Sequence, residues 1–350
     1  MRFCSGRTNK LMKKIYPYLL TIVFLGLLLT PLRTLNLDPK AIEESFYPRG
    51  RLIDWTARVR LWIGDRVFPK VIVGDDGWLV YTAENDIEDY QRADPFTEEE
   101  MAQIQKNLDA LSARYKERGI QLIVVVPPNK NTIYPERVPP QVPVFGEVSK
   151  LDQLIEYLKV HGQVQLLDLR PALLAAKAER QIYYATDTHW NDYGAYIAYA
   201  AVMNEVRKTY PSLSPHSISD FKVEVRAPEQ FDLAANIGTT YYEEPRIQFA
   251  PKYETHTTYK NVTVGGRKLM FSANPDPTLP RLVLFHDSFF FRVIPLLGEH
   301  FSYGVYVQNY MGGGLWNLSW VDEQKPDVVI IEFSERYLKD LILLVEPKRK

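Results

Sequence analysis

Cysteine is almost missing from this 350-residue sequence. Its one thiol, Cys4, cannot close an internal disulfide, and no cysteine-based metal site can be assembled from it. The histidines are His161, His189, His216, His256, His286 and His300, and none of them forms an HExxH or HxH pair. A formal net charge of -1 leaves no electrostatic footprint for nucleic acid, and no basic stripe interleaved with aromatics replaces it. Low-complexity tracts are lacking as well. What is there, 46% hydrophobic and 24% charged residues, is a globular composition on a chain long enough to bury a core. The 22 Tyr and 6 Trp exceed what a core needs, which fits either a sugar-facing surface or a tyrosine-rich fold.

The one long apolar run comes first. Arg2, Arg7, Lys10, Lys13 and Lys14 precede Ile15 to Leu32, which carries no charge and has the minimum length for crossing a bilayer. It ends Leu29-Thr30-Pro31-Leu32-Arg33, without the Ala-x-Ala exit of a cleaved signal peptide. We therefore expect residues 1–33 to be a cytoplasmic tail and an uncleaved signal anchor, with everything after Arg33 outside the cytoplasm by the positive-inside rule. Residues 34–70 are expected to form a juxtamembrane helical segment, and 71–350 the main domain.

Within that domain, strands and helices alternate. Val71–Tyr81 reads as a hairpin around Asp76-Gly77. A helix over 97–118 starts on Thr97, with Glu98, Glu99 and Glu100 in its first turn. Ile120–Val126 is a buried strand ending in Pro127-Pro128-Asn129-Lys130, where open α/β sheets place ligand loops, so Lys130 and Tyr134 are candidates to reach a substrate. Helices are expected over 151–160, 171–180, 192–208 and 335–345, and strands over 164–169, 281–285, 303–307 and 327–333. Residues 211–280 read as an insertion roofing the site, and Gly312-Gly313-Gly314 as a loop. The pattern specifies an α/β fold, a three-layer sandwich with a mainly parallel sheet.

Chemistry concentrates at Asp187-Thr188-His189-Trp190-Asn191 and at Ser288, on the turn after the 281–285 strand. A serine on a strand-to-helix turn is held exposed, and it needs an imidazole base whose other nitrogen is fixed by a carboxylate. Ser288, His189 and Asp187 supply that set. The Ser288 N–H is the natural first donor to an oxyanion, with Asn191, Asn236 and Asn309 as candidates for the second. Trp190 completes the candidate substrate-binding residues. The competing readings are a core histidine at 189, a serine that merely caps a helix, and a mononuclear metal site drawn from Asp187, His189, Asp192, His286 and Asp287.

Together, Asp187-Thr188-His189-Trp190, Asp287-Ser288-Phe289, Val73-Gly74-Asp75-Asp76-Gly77-Trp78-Leu79, Val126-Pro127-Pro128-Asn129-Lys130, Tyr134-Pro135, and Pro326–Glu332 with Glu335-Arg336 resemble the SGNH-like acetyltransferases of the alginate O-acetylation type, the AlgX and AlgJ family. The likeness runs in the same order across residues 70–345. It implies an SGNH-hydrolase-like fold, a Ser288-His189-Asp187 triad, no cofactor or metal, and acetyl transfer onto hydroxyls of an exported or cell-surface polysaccharide. It also implies an acetyl donor supplied across the membrane by a polytopic MBOAT-type acyltransferase. An acetylesterase would use the same triad, and a silent polysaccharide-binding scaffold would not use it at all.

Overall fold

The computed structural model describes Tyr18 and residues 21–26, 49–264, 267–308 and 319–344. The chain divides into two compact units, Met1–Asp65 and Arg66–Lys350. In the first, helix α1 (Arg49–Trp62) lies within residues 34–70 and exposes Trp55 and Trp62. The expected anchor over Ile15–Leu32 lies outside the described residues except for Tyr18 and 21–26, which are helical and exposed. Among the described residues no helix is long and apolar enough to cross a membrane. Asn309 and the Gly312–Gly314 loop also lie outside them.

The second unit opens with a small antiparallel sheet of β1 (Val67–Phe68), β2 (Val71–Val73) and β3 (Leu79–Tyr81). The β2–β3 connection turns through the left-handed region at Asp76 (φ 53°) and Gly77 (φ 79°), which is why an Asp-Gly pair stands there. In chain order there follow α2 (Asp86–Gln91), α3 (Glu98–Glu117), β4 (Gln121–Val126), α4 (Lys130–Ile133), α5 (Lys150–His161), β5 (Leu166–Asp168), α6 (Arg170–Lys177) and α7 (Asp192–Val206). The start of α3 is a full capping box: Glu100 N donates to Thr97 Oγ1 at 3.2 Å and Thr97 N to Glu100 Oε2 at 2.9 Å.

The insertion contains β6 (Phe221–Gln230), α8 (Asp232–Ile237), β7 (Glu243–Pro251), β8 (Thr258–Val264) and β9 (Arg267–Ala273). The chain closes with β10 (Arg281–His286), a 3-10 turn Ser288–Arg292, α9 (Ile294–Gly298), β11 (Tyr303–Gln308), α10 (Ser319–Gln324), β12 (Val328–Glu332) and a 3-10 segment Glu335–Leu343. That last segment was expected to be an α-helix. Its helical path breaks at Tyr337 (φ -111°), and buried Glu335 and Arg336 turn into the core instead.

The main sheet has the order β5-β4-β12-β10-β11-β9-β8. The first five strands are parallel, while β9 and β8 join antiparallel at the β11 edge, so the sheet is mixed. The insertion therefore does not act as one roof. Its second half extends the sheet, and only the β6–β7 ribbon and α8 border the site.

Alternation along the pleat fills both faces. Leu282 and Leu284 of β10 pack with Ile123, Val125, Val328 and Ile330 against α6, α7 and α9. Val283 and Phe285 pack with Val124, Val126, Val329 and Ile331 against α3, α5 and the C-terminal 3-10 segment. Strands buried on both sides read as continuous apolar runs, and their C-terminal ends converge where the polar residues begin.

Candidate active site

Two turns make the site. The first is a tight excursion between α6 and α7. Tyr183 bridges Trp190 in antiparallel fashion, Asn191 N donates to the Ile182 carbonyl at 2.9 Å, and Asp187 and Thr188 sit at the tip. Side chains from other elements bind the loop's backbone. Buried Lys130 directs its ammonium at the carbonyls of Tyr184 (3.3 Å), Ala185 (3.0 Å) and Asp187 (2.6 Å). Glu244 of β7 accepts from Ala185 N, Thr186 N and the Thr186 hydroxyl at 3.2, 2.7 and 2.7 Å. Leu79 N of the hairpin donates to the Ala185 carbonyl at 2.9 Å. A loop with this many partners has its geometry set by the fold.

The second turn follows β10. Asp287 caps it by accepting from Phe289 N at 2.7 Å, its other oxygen takes Ser334 N at 3.3 Å, and its own N–H is bound by Glu332 Oε2 at 2.6 Å. Glu332 is fully buried, and burial followed by the Asp287 charge pushes its carboxyl well above the usual carboxylate range. Ser288 is exposed between buried Asp287 and buried Phe289.

The turns meet at the imidazole. Ser288 Oγ lies 2.8 Å from His189 Nε2, and His189 Nδ1 lies 2.7 Å from Asp187 Oδ1. The carboxylate fixes the tautomer: Nδ1 donates to Asp187, which leaves Nε2 to accept from the serine hydroxyl. Burial works against the imidazolium, yet the Asp187 hydrogen bond and charge outweigh it and raise the His189 pKa. In the same way burial opposes the Asp187 carboxylate, while the His189 bond and charge hold its pKa below the ordinary value. The set has the layout of a nucleophile, a base and an orienting carboxylate.

The other candidates fall elsewhere. Lys130 is spent on the loop carbonyls, and burial lowers its pKa to about 8. Tyr134 is buried, its hydroxyl accepting from Ile182 N at 3.0 Å. Trp190 is buried and donates Nε1–H to the Phe289 carbonyl at 3.0 Å. Asn191 caps α7, accepting from Tyr193 N and Gly194 N. In each of these four the polar atom is occupied by the protein itself, so they build the site rather than face a ligand. Asn236 is exposed and donates to the Asp232 carbonyl.

Sequence reasoning missed Asp232, whose carboxylate accepts from Thr188 N (2.8 Å) and the Thr188 hydroxyl (2.6 Å) and stands 3.8 Å from His189 Nδ1. It also missed the polar floor below. There Glu335 accepts from Asn129 N and the Thr132 hydroxyl, and Asn131 donates to Asp86, which faces Arg336 at 3.4 Å. Nothing in the local pattern around Asp232 marks it.

A metal centre fits these groups poorly. Asp187, His189 and Asp232 offer ligand atoms within 4.8 Å of one another, but both ring nitrogens of His189 already have partners in Asp187 and Ser288. Of the other residues weighed for a metal, Asp192 pairs with Arg292 at 3.0 Å and Asp287 serves its turn. A cleft of about 500 Å³ lined by His216, Tyr253, Asn274 and Glu299 does not include Ser288 or His189.

An exposed serine at the C-terminal edge of a mixed α/β sheet, facing a histidine held by a carboxylate two residues away, defines an SGNH-like α/β protein. Residues 71–288 match the family described as SGNH hydrolase-like domain, acetyltransferase AlgX, and the chain belongs to that family. Relatives described as probable alginate O-acetylase AlgJ share 27% identity over 151 residues in Pseudomonas aeruginosa and 31% over 135 residues in Pseudomonas syringae pv. tomato. These matches take in 41% and 37% of this chain and only 34% and 32% of those proteins, about a third of their length. Among solved structures, Bacillus cereus PatB1 with a sulfonyl adduct is similar over 78% of this chain and 96% of its own, with a TM-score of 0.55 at 16% identity. A DHHW family protein from Eubacterium siraeum is similar over 78% and 98%, with a TM-score of 0.51 at 16% identity. Both likenesses speak for the fold.

Proposed function

We propose that this chain is an O-acetyltransferase that moves acetyl groups onto hydroxyls of an exported or cell-surface polysaccharide through an acetyl-Ser288 intermediate. The observation that carries the reading is the continuous line from Ser288 Oγ through His189 to Asp187, at 2.8 and 2.7 Å. Ser288 Oγ attacks the acetyl carbonyl carbon while its proton passes to His189 Nε2, and Asp187 holds the imidazolium that results. The Ser288 N–H is the candidate donor to the oxyanion. The donor's leaving group departs with the proton. A sugar hydroxyl then attacks the acetyl-serine, gives its proton to His189, and Ser288 recovers it as the ester forms. No cofactor enters these steps.

Family membership and the naming of the AlgJ relatives as probable alginate O-acetylases support a polysaccharide acceptor. The basic tail and apolar run over 1–32 support a single membrane pass with the domain on the extracytoplasmic side, where a polytopic MBOAT-type acyltransferase would supply acetyl. The exposure of Ser288 favours a second reading, an acetylesterase in which water takes the place of the sugar hydroxyl.

The test uses the purified full chain with p-nitrophenyl acetate, following p-nitrophenol release and the intact mass of wild type and Ser288→Ala. An acetyl adduct confined to the wild type establishes the nucleophile. Adding an acceptor glycan then separates the two readings, since a transferase moves label to the glycan and an esterase only releases acetate. Absence of both adduct and turnover from the wild type would favour a binding or scaffold protein.

A further inference from the structure

We propose that Asp232 is a positioning residue of this site, a second carboxylate that works with Asp187 to hold the His189 imidazolium and that locks Thr188 between them. The inference rests on the acyl-transfer reading above and adds to it. Asp232 arrives from α8, in the segment between β6 and β7, and not from either turn that carries the three central residues.

Three distances place it. Both carboxylate oxygens are used on Thr188, one by its N–H at 2.8 Å and the other by its hydroxyl at 2.6 Å, and the second lies 3.8 Å from His189 Nδ1. The Thr188 oxygen is itself 3.0 Å from that nitrogen, so the hydroxyl links the second carboxylate to the ring. A carboxylate accepting two donors favours its ionised form, which puts a second negative charge beside the nitrogen that faces Asp187.

Helix α8 is tied down independently, because Leu233 N and Ala234 N both donate to the Thr186 carbonyl. The Asp232 contact is therefore not a side chain resting on a mobile tip. Other charged groups near the imidazole are Asp187 on its own loop and Arg336 from the C-terminal segment. Arg336 opposes the imidazolium, while Lys130 acts on the Asp187 carbonyl. Against Arg336, one carboxylate gains from the help of another. Burial and repulsion from the Asp187 charge raise the Asp232 pKa against the opposing pull of the His189 charge and the Thr188 bond, as expected for two acids set side by side.

The test is a titration of the His189 ring by ¹⁵N NMR in the full chain, assigned by His189→Gln, together with the pH profile of acetyl-ester hydrolysis. Asp232→Asn keeps an oxygen for Thr188 N and removes the charge. An opposite charge at this range shifts a pKa by roughly 1–3 units when buried, and Asp232 is partly exposed, so we expect the His189 midpoint to fall by about one unit. The acid limb of hydrolysis should move with it, and Asp232→Glu should restore both. Thr188→Val breaks the hydroxyl link but keeps both charges, so it should lower turnover with a smaller change in the titration. If Asp232→Asn titrates with the wild type, Asp232 only supports the loop and the proposal is overturned. If the titration shifts as expected while the wild type neither turns over nor acetylates, the acyl-transfer reading fails and the placement of Asp232 stands.

Discussion

The Trp190 indole N–H meets the Phe289 carbonyl at 3.0 Å, tying the residue after the imidazole to the residue after the serine hydroxyl. The Phe289 ring stands edge-on to both Trp190 and His189, with ring centres 5.0 Å apart in each pair. The Ser288–His189 distance is thus held by a neighbouring hydrogen bond and by ring packing. Trp190→Phe keeps most of the packing and leaves a buried carbonyl without its donor, which costs ~1–3 kcal/mol. We expect chemical denaturation to show that loss and ester turnover to fall by ~10- to 100-fold, the effect of a misplaced reacting group. Unchanged turnover in a destabilised protein would mean that the two turns keep their spacing without the indole.

Asp187→Asn tests the orienting carboxylate. The amide offers Nδ1 a different partner and the wrong tautomer becomes available, so turnover should fall by ~10³- to 10⁴-fold while the circular dichroism spectrum stays unchanged. A variant retaining near-full activity would contradict the role.

The same pair sets the pH dependence. His189 must be neutral to accept the Ser288 proton, and its pKa is raised in the fold. Activity should therefore rise with pH through a midpoint above the ordinary imidazole value of ~6.5. Stability runs the other way. The His189 contribution is fully present below the unfolded value and is lost as pH rises through the folded one. The depressed Asp187 contribution is present above the unfolded carboxylate value and lost as pH falls. Measuring the rate profile and the denaturation midpoint over the same pH range checks both signs, and an acid limb centred below the ordinary value would refute the pairing.

How far the sequence reached can be judged from these residues. Asp187 and His189 were legible because two residues apart on a short loop lets both side chains face one pocket, and Ser288 because it follows a buried apolar strand. Asp232 was not, since it comes from a stretch without periodicity and reaches the site through contacts with a loop 44 residues away in sequence. Lys130 was misleading for a related reason. A lysine just after a strand end stands where ligand loops occur, and only the tertiary fold brings three carbonyls onto its ammonium. The β9 strand was missed because a strand with little pattern of its own takes its identity from the partners it pairs with, here β11 and β8.

Gly194 offers a test of local packing. It lies in the first turn of α7, and a Cβ there would stand 2.5 Å from the Ile182 carbonyl and 2.6 Å from Trp190 Cβ. Helix propensity alone favours Ala over Gly by ~1 kcal/mol. Overpacking costs ~1–3 kcal/mol, and the obstacle is backbone rather than a flexible side-chain tip, so the clash should win. Gly194→Ala should melt earlier than the wild type and lose turnover, because the atoms it displaces flank the His189 loop. A higher melting temperature would show that α7 can shift without disturbing that loop.

Lys130→Met separates a builder of the site from a binder of substrate. The methionine keeps an apolar stem of similar length but leaves the Tyr184, Ala185 and Asp187 carbonyls without their shared donor. If the ammonium serves the loop, kcat and thermal stability fall together and KM for the ester is little changed, since no contact with substrate has been removed. If the ammonium instead reaches the acyl donor or the sugar, KM rises while the melting temperature holds. The buried position of Lys130 and its three carbonyl contacts predict the first outcome.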